Sequence, residues 1–162
     1  MIILGLDPGT ATTGYGVVEL RGNQVVHVEH GCILTPANTP LPSRLHQIAL
    51  ELRKIIDKHQ PIKVGVEEIF FSKNVSTAIS VAQARGVLLQ VCTEANIPVH
   101  SFTPVQVKQS LTSYGRADKK QMQKMICLML GLSEIPTPDD AADALAIAVT
   151  CAHTNSFEKI DI

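Results

Sequence analysis

Short apolar runs and turn residues divide the start of the chain into strands. Residues 2–6 are almost wholly apolar and stop at Asp7, Pro8 and Gly9, which predicts a central strand followed by a turn. Residues 14–20 and 25–34 predict two further strands, separated by a turn centred on Gly22. Three successive strands with short connections predict an antiparallel meander.

The hydrophobic period then changes to that of helices. Between residues 43 and 58 the apolar positions fall three or four apart, at Leu45, Ile48, Ala49, Leu52, Ile55 and Ile56. Residues 63–69 and 97–102 predict two more strands, with a helix at residues 76–95 between them. Further helices are expected at residues 104–111, from Asp118 onward, and after Thr137 and Pro138 to about residue 152. This order of elements is typical of an α/β fold.

Length and composition indicate a single globular domain. The chain has 162 residues, 45% of them hydrophobic, so we expect one domain over residues 1–162 with a continuous core. No stretch reaches roughly 18 apolar residues, and the start lacks the regions of a signal peptide, so we expect a cytoplasmic protein. The four cysteines include no CxxC pair, which argues against a zinc site and a disulfide framework.

Positive charge is concentrated in one segment, although the net charge is -1. Between residues 105 and 125 a single acid, Asp118, stands among five cationic residues: Lys108, Arg116, Lys119, Lys120 and Lys124. Proteins that bind phosphates commonly carry such a basic patch. An ordinary solvated helix face would look similar, so the charges permit a nucleic-acid partner without demanding one.

Acidic residues end or interrupt two of the predicted strands. Asp7 follows the first strand, and α/β folds commonly bind ligands at such strand ends. The alternative is that Asp7 merely caps the turn that follows it. Glu67 and Glu68 interrupt the fourth strand, and alternation places their side chains on opposite faces of the sheet. Only one of the pair can join Asp7, and periodicity does not choose between them.

The segment TPDDAADALAIAVT predicts how the last helix begins. Thr137 can be its N-cap, Pro138 fits the first helical position, and Asp139 and Asp140 suit the positive end of the helix dipole. This explanation does not extend to Asp143, which stands among alanine, leucine and isoleucine residues typical of a buried surface. A buried carboxylate needs a strong partner, and a cation is one.

Four of these acids could form a metal site together. Asp140 and Asp143 are three residues apart and share one helix face. With Asp7 and Glu67 from two strands they would form an all-oxygen cluster, which suits magnesium or manganese. Two such ions can activate a water molecule and stabilise the leaving oxygen of a phosphodiester.

Seven segments, in their order and spacing, are similar to a known family. They are ILGLDPGTATTGYGVV at the start, GCI at 31–33, LPSRL at 41–45, VEEIFFSKN at 66–74, AQARGV at 82–87, VKQ at 107–109 and DAADALAIA at 140–148. Over nearly its whole length the chain resembles the RuvC family of bacterial Holliday-junction resolvases, in the ribonuclease-H/integrase-like superfamily. The resemblance implies an α/β, ribonuclease-H-like fold with a five-stranded mixed sheet flanked by helices on both faces.

The resemblance also implies an activity. The family's four catalytic, metal-binding carboxylates fall on Asp7, Glu67, Asp140 and Asp143, which selects Glu67 over Glu68. In the family these acids use Mg²⁺, or Mn²⁺ as a substitute, with two ions expected per site. They resolve Holliday junctions in recombination and repair by nicking two opposed strands symmetrically, which leaves 5′-phosphate and 3′-hydroxyl ends.

Three further positions are implied to bind DNA. By similarity, Lys108 and Lys119 contact the region of the reacting phosphate. Phe70 stands where the family carries an aromatic residue that inserts among bases at the junction centre, and such stacking is worth about 1 to 3 kcal/mol. Alternation would place Phe70 and Phe71 on opposite faces, so one of them is expected in the core.

The helix predicted at residues 76–95 suggests a second subunit. Residues 78–92 are apolar or small almost all the way round, with Ala78, Ala82 and Gly86 in a stripe. A helix that packs only on its own sheet needs one apolar face, so the second face is covered either by helices of the same domain or by a partner. The family is homodimeric, which matches the symmetry of a four-way junction. A branch-migration motor of RuvA and RuvB is its expected associate.

Three other functions stay open on the sequence alone. Asp7, Gly9 and Thr10 resemble the DxGT phosphate loop of actin-like and sugar-kinase-like ATPases, although such enzymes need a second domain. An RNA-processing nuclease of the same fold would share the acids but not the substrate. A junction-binding module without catalysis would use the acids structurally.

Overall fold

The computed structural model describes residues 1–69 and 75–154. Its elements, in chain order, are β1 (Ile2–Asp7), β2 (Thr12–Arg21), β3 (Gln24–Leu34), α1 (Leu41–His59), β4 (Lys63–Glu67), α2 (Val75–Glu94), β5 (Val99–Phe102), α3 (Pro104–Thr112), α4 (Lys119–Leu130) and α5 (Asp139–His153). None of the helices within the described residues is long and apolar enough to cross a membrane.

The strands form one mixed sheet in the order β3-β2-β1-β4-β5. β1, β2 and β3 are antiparallel neighbours, which confirms the predicted meander, while β4 runs parallel to β1 and β5 parallel to β4. Arg21 pairs with Gln24 across a two-residue turn, where Gly22 adopts a φ of 60°. Glycine takes this left-handed conformation without strain, so the hairpin closes at the predicted place.

Helices cover both faces of the sheet, as expected. Alternation along β1 sends Leu4 and Leu6 to the face where α1 and α2 pack. It sends Ile3 to the opposite face, where α3, α4 and α5 pack. Because both faces are buried, the central strands are apolar almost throughout, and their ends are where polar side chains can meet solvent.

Glycines allow α5 to lie directly on the backbone of β1 and β2. A Cβ atom on Gly5 would lie 2.2 Å from the Ala144 carbonyl oxygen, and one on Gly14 would lie 2.0 Å from the carbonyl oxygen of Asp140. No side chain fits at either position, so the glycines set how closely the helix approaches. This packing holds the first turn of α5 over the ends of the two strands.

Several predicted boundaries differ from those observed. The assignment of Thr137 as N-cap is wrong: Pro138 occupies that position with an extended ψ of 175°, and no side chain caps the helix. The Pro138 carbonyl accepts the first helical hydrogen bonds, at 3.0 Å from the Ala141 amide, so the helix begins at Asp139. β4 ends at Glu67, where its pairing with β5 ends, rather than at residue 69.

Candidate active site

Asp7 and Glu67 lie at adjacent strand ends on the same face of the sheet. Leu6 pairs with Val66 between β1 and β4, so the two acids come next on neighbouring strands. Gly5 and Gly65, two residues before each acid, both face α5. Side chains two residues apart in a strand share a face, so Asp7 and Glu67 also point toward α5. Glu67 therefore shares with Asp7 the face of the sheet that α5 covers.

Both strand acids have strongly perturbed pKa values. Burial raises the pKa of Asp7 from 3.8 to about 8, the charges of Glu67, Asp143 and Asp140 add to the rise, and Lys119 opposes it. Burial raises the pKa of Glu67 from 4.5 to about 7, with Asp143 adding to the rise. Asp7 therefore experiences the charges of the other three acids, and Glu67 that of Asp143, which means that the two strands and α5 converge on one electrostatic centre.

Asp143 is less buried than its apolar neighbours suggest. Its side chain is 44% exposed, whereas the alanines on either side of it are buried against the sheet. The expectation that Asp143 is enclosed among apolar groups is therefore wrong, because its side chain lies at the edge of the buried face of α5. Burial still raises the pKa of Asp143, and Lys119 opposes that rise.

The two predicted lysines line a cavity beside these acids. This lysine cavity, of about 240 Å³, is bounded by Glu67, Pro104, Val107, Lys108, Lys119, Met122, Asp143, Ala146 and Ile147. Lys119 starts α4, whose N-terminus is held by a capping box between Asp118 and Gln121. Lys108 reaches the cavity from α3. The structure thus brings both lysines to the acids. The sequence gave no direct sign of this contact, because Lys119 lies 52 residues after Glu67 and Asp143 lies 76 residues after Glu67.

Asp139, which the sequence suggested only as a helix-terminal charge, holds Lys119 in place. The Lys119 Nζ atom lies 2.9 Å from Asp139 Oδ2 and 3.7 Å from Asp143 Oδ2. Gln123 donates a second hydrogen bond to Asp139, at 3.2 Å. The two adjacent aspartates, Asp139 and Asp140, are the sequence signal that could have indicated one acid at the site and a second acid that pairs with the lysine.

The donor atoms at this site fit a hard divalent cation. Carboxylate oxygens are the ligands that such ions prefer, and a cation would relieve the repulsion that raises the pKa values of Asp7 and Glu67. Within residues 1–69 and 75–154, no three His, Cys, Asp or Glu side chains are already gathered as a metal-binding group. The acids therefore lie within electrostatic reach of one another, and they would have to close in to bind an ion.

The predicted DNA-contacting residues are only partly placed. Lys108 and Lys119 line the lysine cavity. Phe70 and Phe71 lie outside the described residues. Thr10, from the suggested DxGT loop, is buried, and it follows the strand end that carries Asp7.

Comparison with known proteins identifies the family. A family model described as "Crossover junction endodeoxyribonuclease RuvC" matches residues 3–151. The protein of that name from Desulfitobacterium hafniense is 53% identical over 154 residues, covering 95% of this chain and 93% of that one. The one from Heliobacterium modesticaldum is 51% identical over 154 residues, covering 95% of each chain.

A solved structure agrees with the sequence comparisons. The structure of T. thermophilus RuvC in complex with Holliday junction substrate has a TM-score of 0.88 and 36% identity to this chain, covering 93% of this chain and 92% of that one. This likeness confirms the ribonuclease-H-like fold that the resemblance implied. The chain belongs to the RuvC family of crossover junction endodeoxyribonucleases.

Proposed function

We propose that this protein is a metal-dependent endonuclease that resolves four-way DNA junctions in recombination and repair. It acts as one nuclease domain and nicks two opposed strands symmetrically, which leaves 5′-phosphate and 3′-hydroxyl ends. The observation that carries the proposal is the convergence of two strand ends and the first turn of α5, which puts the other three carboxylates within electrostatic reach of Asp7, beside Lys119. Family membership and the likeness to a junction-bound RuvC support branched DNA as the substrate.

The four carboxylates Asp7, Glu67, Asp140 and Asp143 are proposed to hold Mg²⁺, or Mn²⁺ in its place, at two ions per site. When bound, such ions supply a water molecule of lowered pKa and neutralise charge on the leaving oxygen. The raised pKa values of two of the acids support this assignment, because crowded carboxylates gain most from a shared cation.

The lysines and an aromatic side chain are proposed to position the DNA. Lys119, whose ammonium group lies near Asp139 and Asp143, would contact an oxygen of the reacting phosphate. Lys108, which also lines the lysine cavity, would orient the same phosphate. Phe70 would stack on an unpaired base at the junction centre.

The outer face of α2 is proposed as a homodimer interface. Ala84 and Leu88 pack inward, while Ile79 is 53% exposed and Ala82 and Gly86 lie on the surface. Ala78, the first residue of the stripe seen in the sequence, is instead buried within the fold. Small exposed residues allow two helices to approach closely, and a two-fold dimer would present two active sites to a two-fold junction.

The remaining partners rest on the family alone. A motor complex of RuvA and RuvB would deliver the enzyme to junctions in the cytoplasm. Co-migration of the chain with a junction-bound motor complex, and not with the motor alone, would test that association.

A cleavage assay on a synthetic four-way junction tests the function. Each strand is end-labelled in turn, and the products are mapped with Mg²⁺ or with a chelator. Glu67→Gln and Glu68→Gln form a matched pair, because both remove one charge at adjacent positions. We expect Glu67→Gln to lower the cleavage rate by about 100-fold or more while junction binding persists, and Glu68→Gln to cleave nearly as wild type.

Each of the following results would contradict a part of this proposal. Cleavage that persists in the chelator would rule out the metal. Equal cutting of linear duplex DNA would show that the enzyme does not select junctions, and equal cutting of RNA would favour the RNA-processing alternative. Wild-type cleavage by Asp143→Asn would show that the acids have only a structural role. Cuts on one strand alone would argue against symmetric nicking by a dimer.

A further inference from the structure

A second cavity borders the acids through Asp140. This arginine cavity, of about 440 Å³, is lined by Gly9, Thr10, Ala11, Thr12, Arg44, Ser80, Val81 and Asp140. It shares no lining residue with the lysine cavity, and the two are linked through α5, since Asp143 lines one and Asp140 the other. A nucleic-acid strand that crosses the four acids therefore passes two cavities, one beside Asp143 and one beside Asp140.

The turn that forms one wall offers few acceptors to a cation. The Gly9 carbonyl accepts a hydrogen bond from Thr13 Oγ1 at 2.6 Å. The Thr10 carbonyl accepts one from Thr35 Oγ1 at 2.6 Å, and the Ala11 carbonyl accepts one from the Thr35 amide at 3.0 Å. Because these three oxygens are used within the protein, the chemistry of this wall favours a ligand that accepts hydrogen bonds.

Arg44 supplies a positioned positive charge to the same cavity. Its Nε atom donates to Thr35 Oγ1 at 2.8 Å, which fixes the plane of the guanidinium. Among the described residues no carboxylate forms an ion pair with it, in contrast to Arg53 on the same helix, which lies 2.8 Å from Glu94. The first turn of α1 also contains no acid. An anchored guanidinium with terminal nitrogens available is suited to bind a phosphate.

The hydroxyl of Thr10 is the second independent sign of a ligand. Thr10 is only 7% exposed, and its Oγ1 atom has no hydrogen-bond partner among the described residues. A buried hydroxyl without a partner is unfavourable, and such groups commonly mark a site for a water, an ion or a ligand. Because Thr10 lines the cavity, rotation of its side chain would turn the hydroxyl toward a bound anion.

We propose that the arginine cavity binds a backbone phosphate of the cleaved strand, adjacent to the reacting phosphate, with Arg44 as the charged donor and Thr10 as the second donor. This assignment rests on the proposed function, because the ligand is the DNA on which that function acts. The negative charge of Asp140 keeps the phosphate at the Arg44 end of the cavity. Lysine contacts on one side and Arg44 on the other set the position of the strand across the acids.

A thermodynamic cycle that combines one neutralised phosphate with one substituted residue tests the proposal without relying on cleavage. Synthetic four-way junctions carry one uncharged methylphosphonate at successive positions on either side of the cleavage site, and binding is measured in a chelator. For one position beside the reacting phosphate, we expect neutralisation to raise the Kd of the wild type about 10-fold and that of Arg44→Gln hardly at all. The slope of log Kd against log salt should fall by about 0.9 in the variant.

Two further variants separate a phosphate contact from a structural role. Arg53→Gln, the matched loss of an arginine from α1, should keep the wild-type slope and sensitivity. Thr10→Val should weaken binding at the same phosphate without lowering the melting temperature, since it removes a hydroxyl that has no hydrogen-bond partner among the described residues. If Arg44→Gln fails to fold, the same cycle with Arg44→Lys and Thr10→Val decides the question.

The outcomes distinguish this inference from the proposed function. If the effects of Arg44→Gln and of each methylphosphonate on Kd are additive, while the wild-type chain still cleaves the junction, the phosphate site alone is overturned. A wild-type chain that neither binds nor cuts the junction would overturn the proposed function and this site with it.

Discussion

Removing the charge of Asp7 should make the metal-free protein more stable at pH 8. The pKa of Asp7 is raised from 3.8 to about 8, chiefly by burial, so the folded chain holds a proton there more tightly than the unfolded chain. The rise of about 4 pKa units corresponds to at most about 6 kcal/mol, at 1.36 kcal/mol for each unit. Asp7 is only half-buried, and solvent and salt screen its neighbours, so we expect about 2 kcal/mol for Asp7→Asn.

The pH dependence of this effect has a defined sign. An acid whose folded pKa is raised loses stability as pH increases from its unfolded value to its folded value, here from about 4 to about 8. The gap between Asp7→Asn and wild type should therefore be largest at pH 8 and shrink toward pH 4. At this chain length the variant should melt roughly 4 to 8 °C higher at pH 8.

Thermal and urea unfolding in a chelator measure this difference. Asp139→Asn is the matched control, because Lys119 lowers the pKa of that exposed acid and its removal should bring no gain in stability. Added Mg²⁺ should then stabilise the wild type more than Asp7→Asn. If the variant is no more stable than wild type at pH 8, or if the gap grows as pH falls, burial and the neighbouring carboxylates do not raise the pKa of Asp7 as argued.

Three other expectations follow from the packing and contacts. Gly14→Ala should destabilise the fold by about 2 to 4 kcal/mol in urea unfolding, since its Cβ would meet a backbone oxygen at 2.0 Å. Gly86→Ala has open space and should not destabilise the monomer, so an equal loss in both variants would contradict the close-approach argument. Lys119→Met should slow cleavage at saturating junction about 100-fold, and Asp139→Asn should slow it less; unchanged single-turnover rates would exclude Lys119. Ile79→Glu should yield monomers in sedimentation, and a persistent dimer would place the interface elsewhere.

The sequence by itself determined the elements and the residues of interest. Apolar alternation and helical spacing depend on each segment alone, which is why β1, the meander and the helices could be predicted from local pattern. The end of β4 and the N-cap of α5 could not, because they depend on where pairing with β5 stops and on the backbone at Pro138. Asp143 was recognised as unusual from its apolar neighbours, although its degree of burial was not.

Only the tertiary structure decided which of these residues meet. Alternation showed that Glu67 and Glu68 face opposite ways, but the packing of α5 against Gly5 and Gly65 determined which face holds the site. The contact of Lys119 with Asp139, and the cavity shared by Arg44 and Thr10, join residues from separate elements. Periodicity describes one element at a time, whereas such contacts depend on how elements pack, and that packing is set by the shapes of all the buried side chains together.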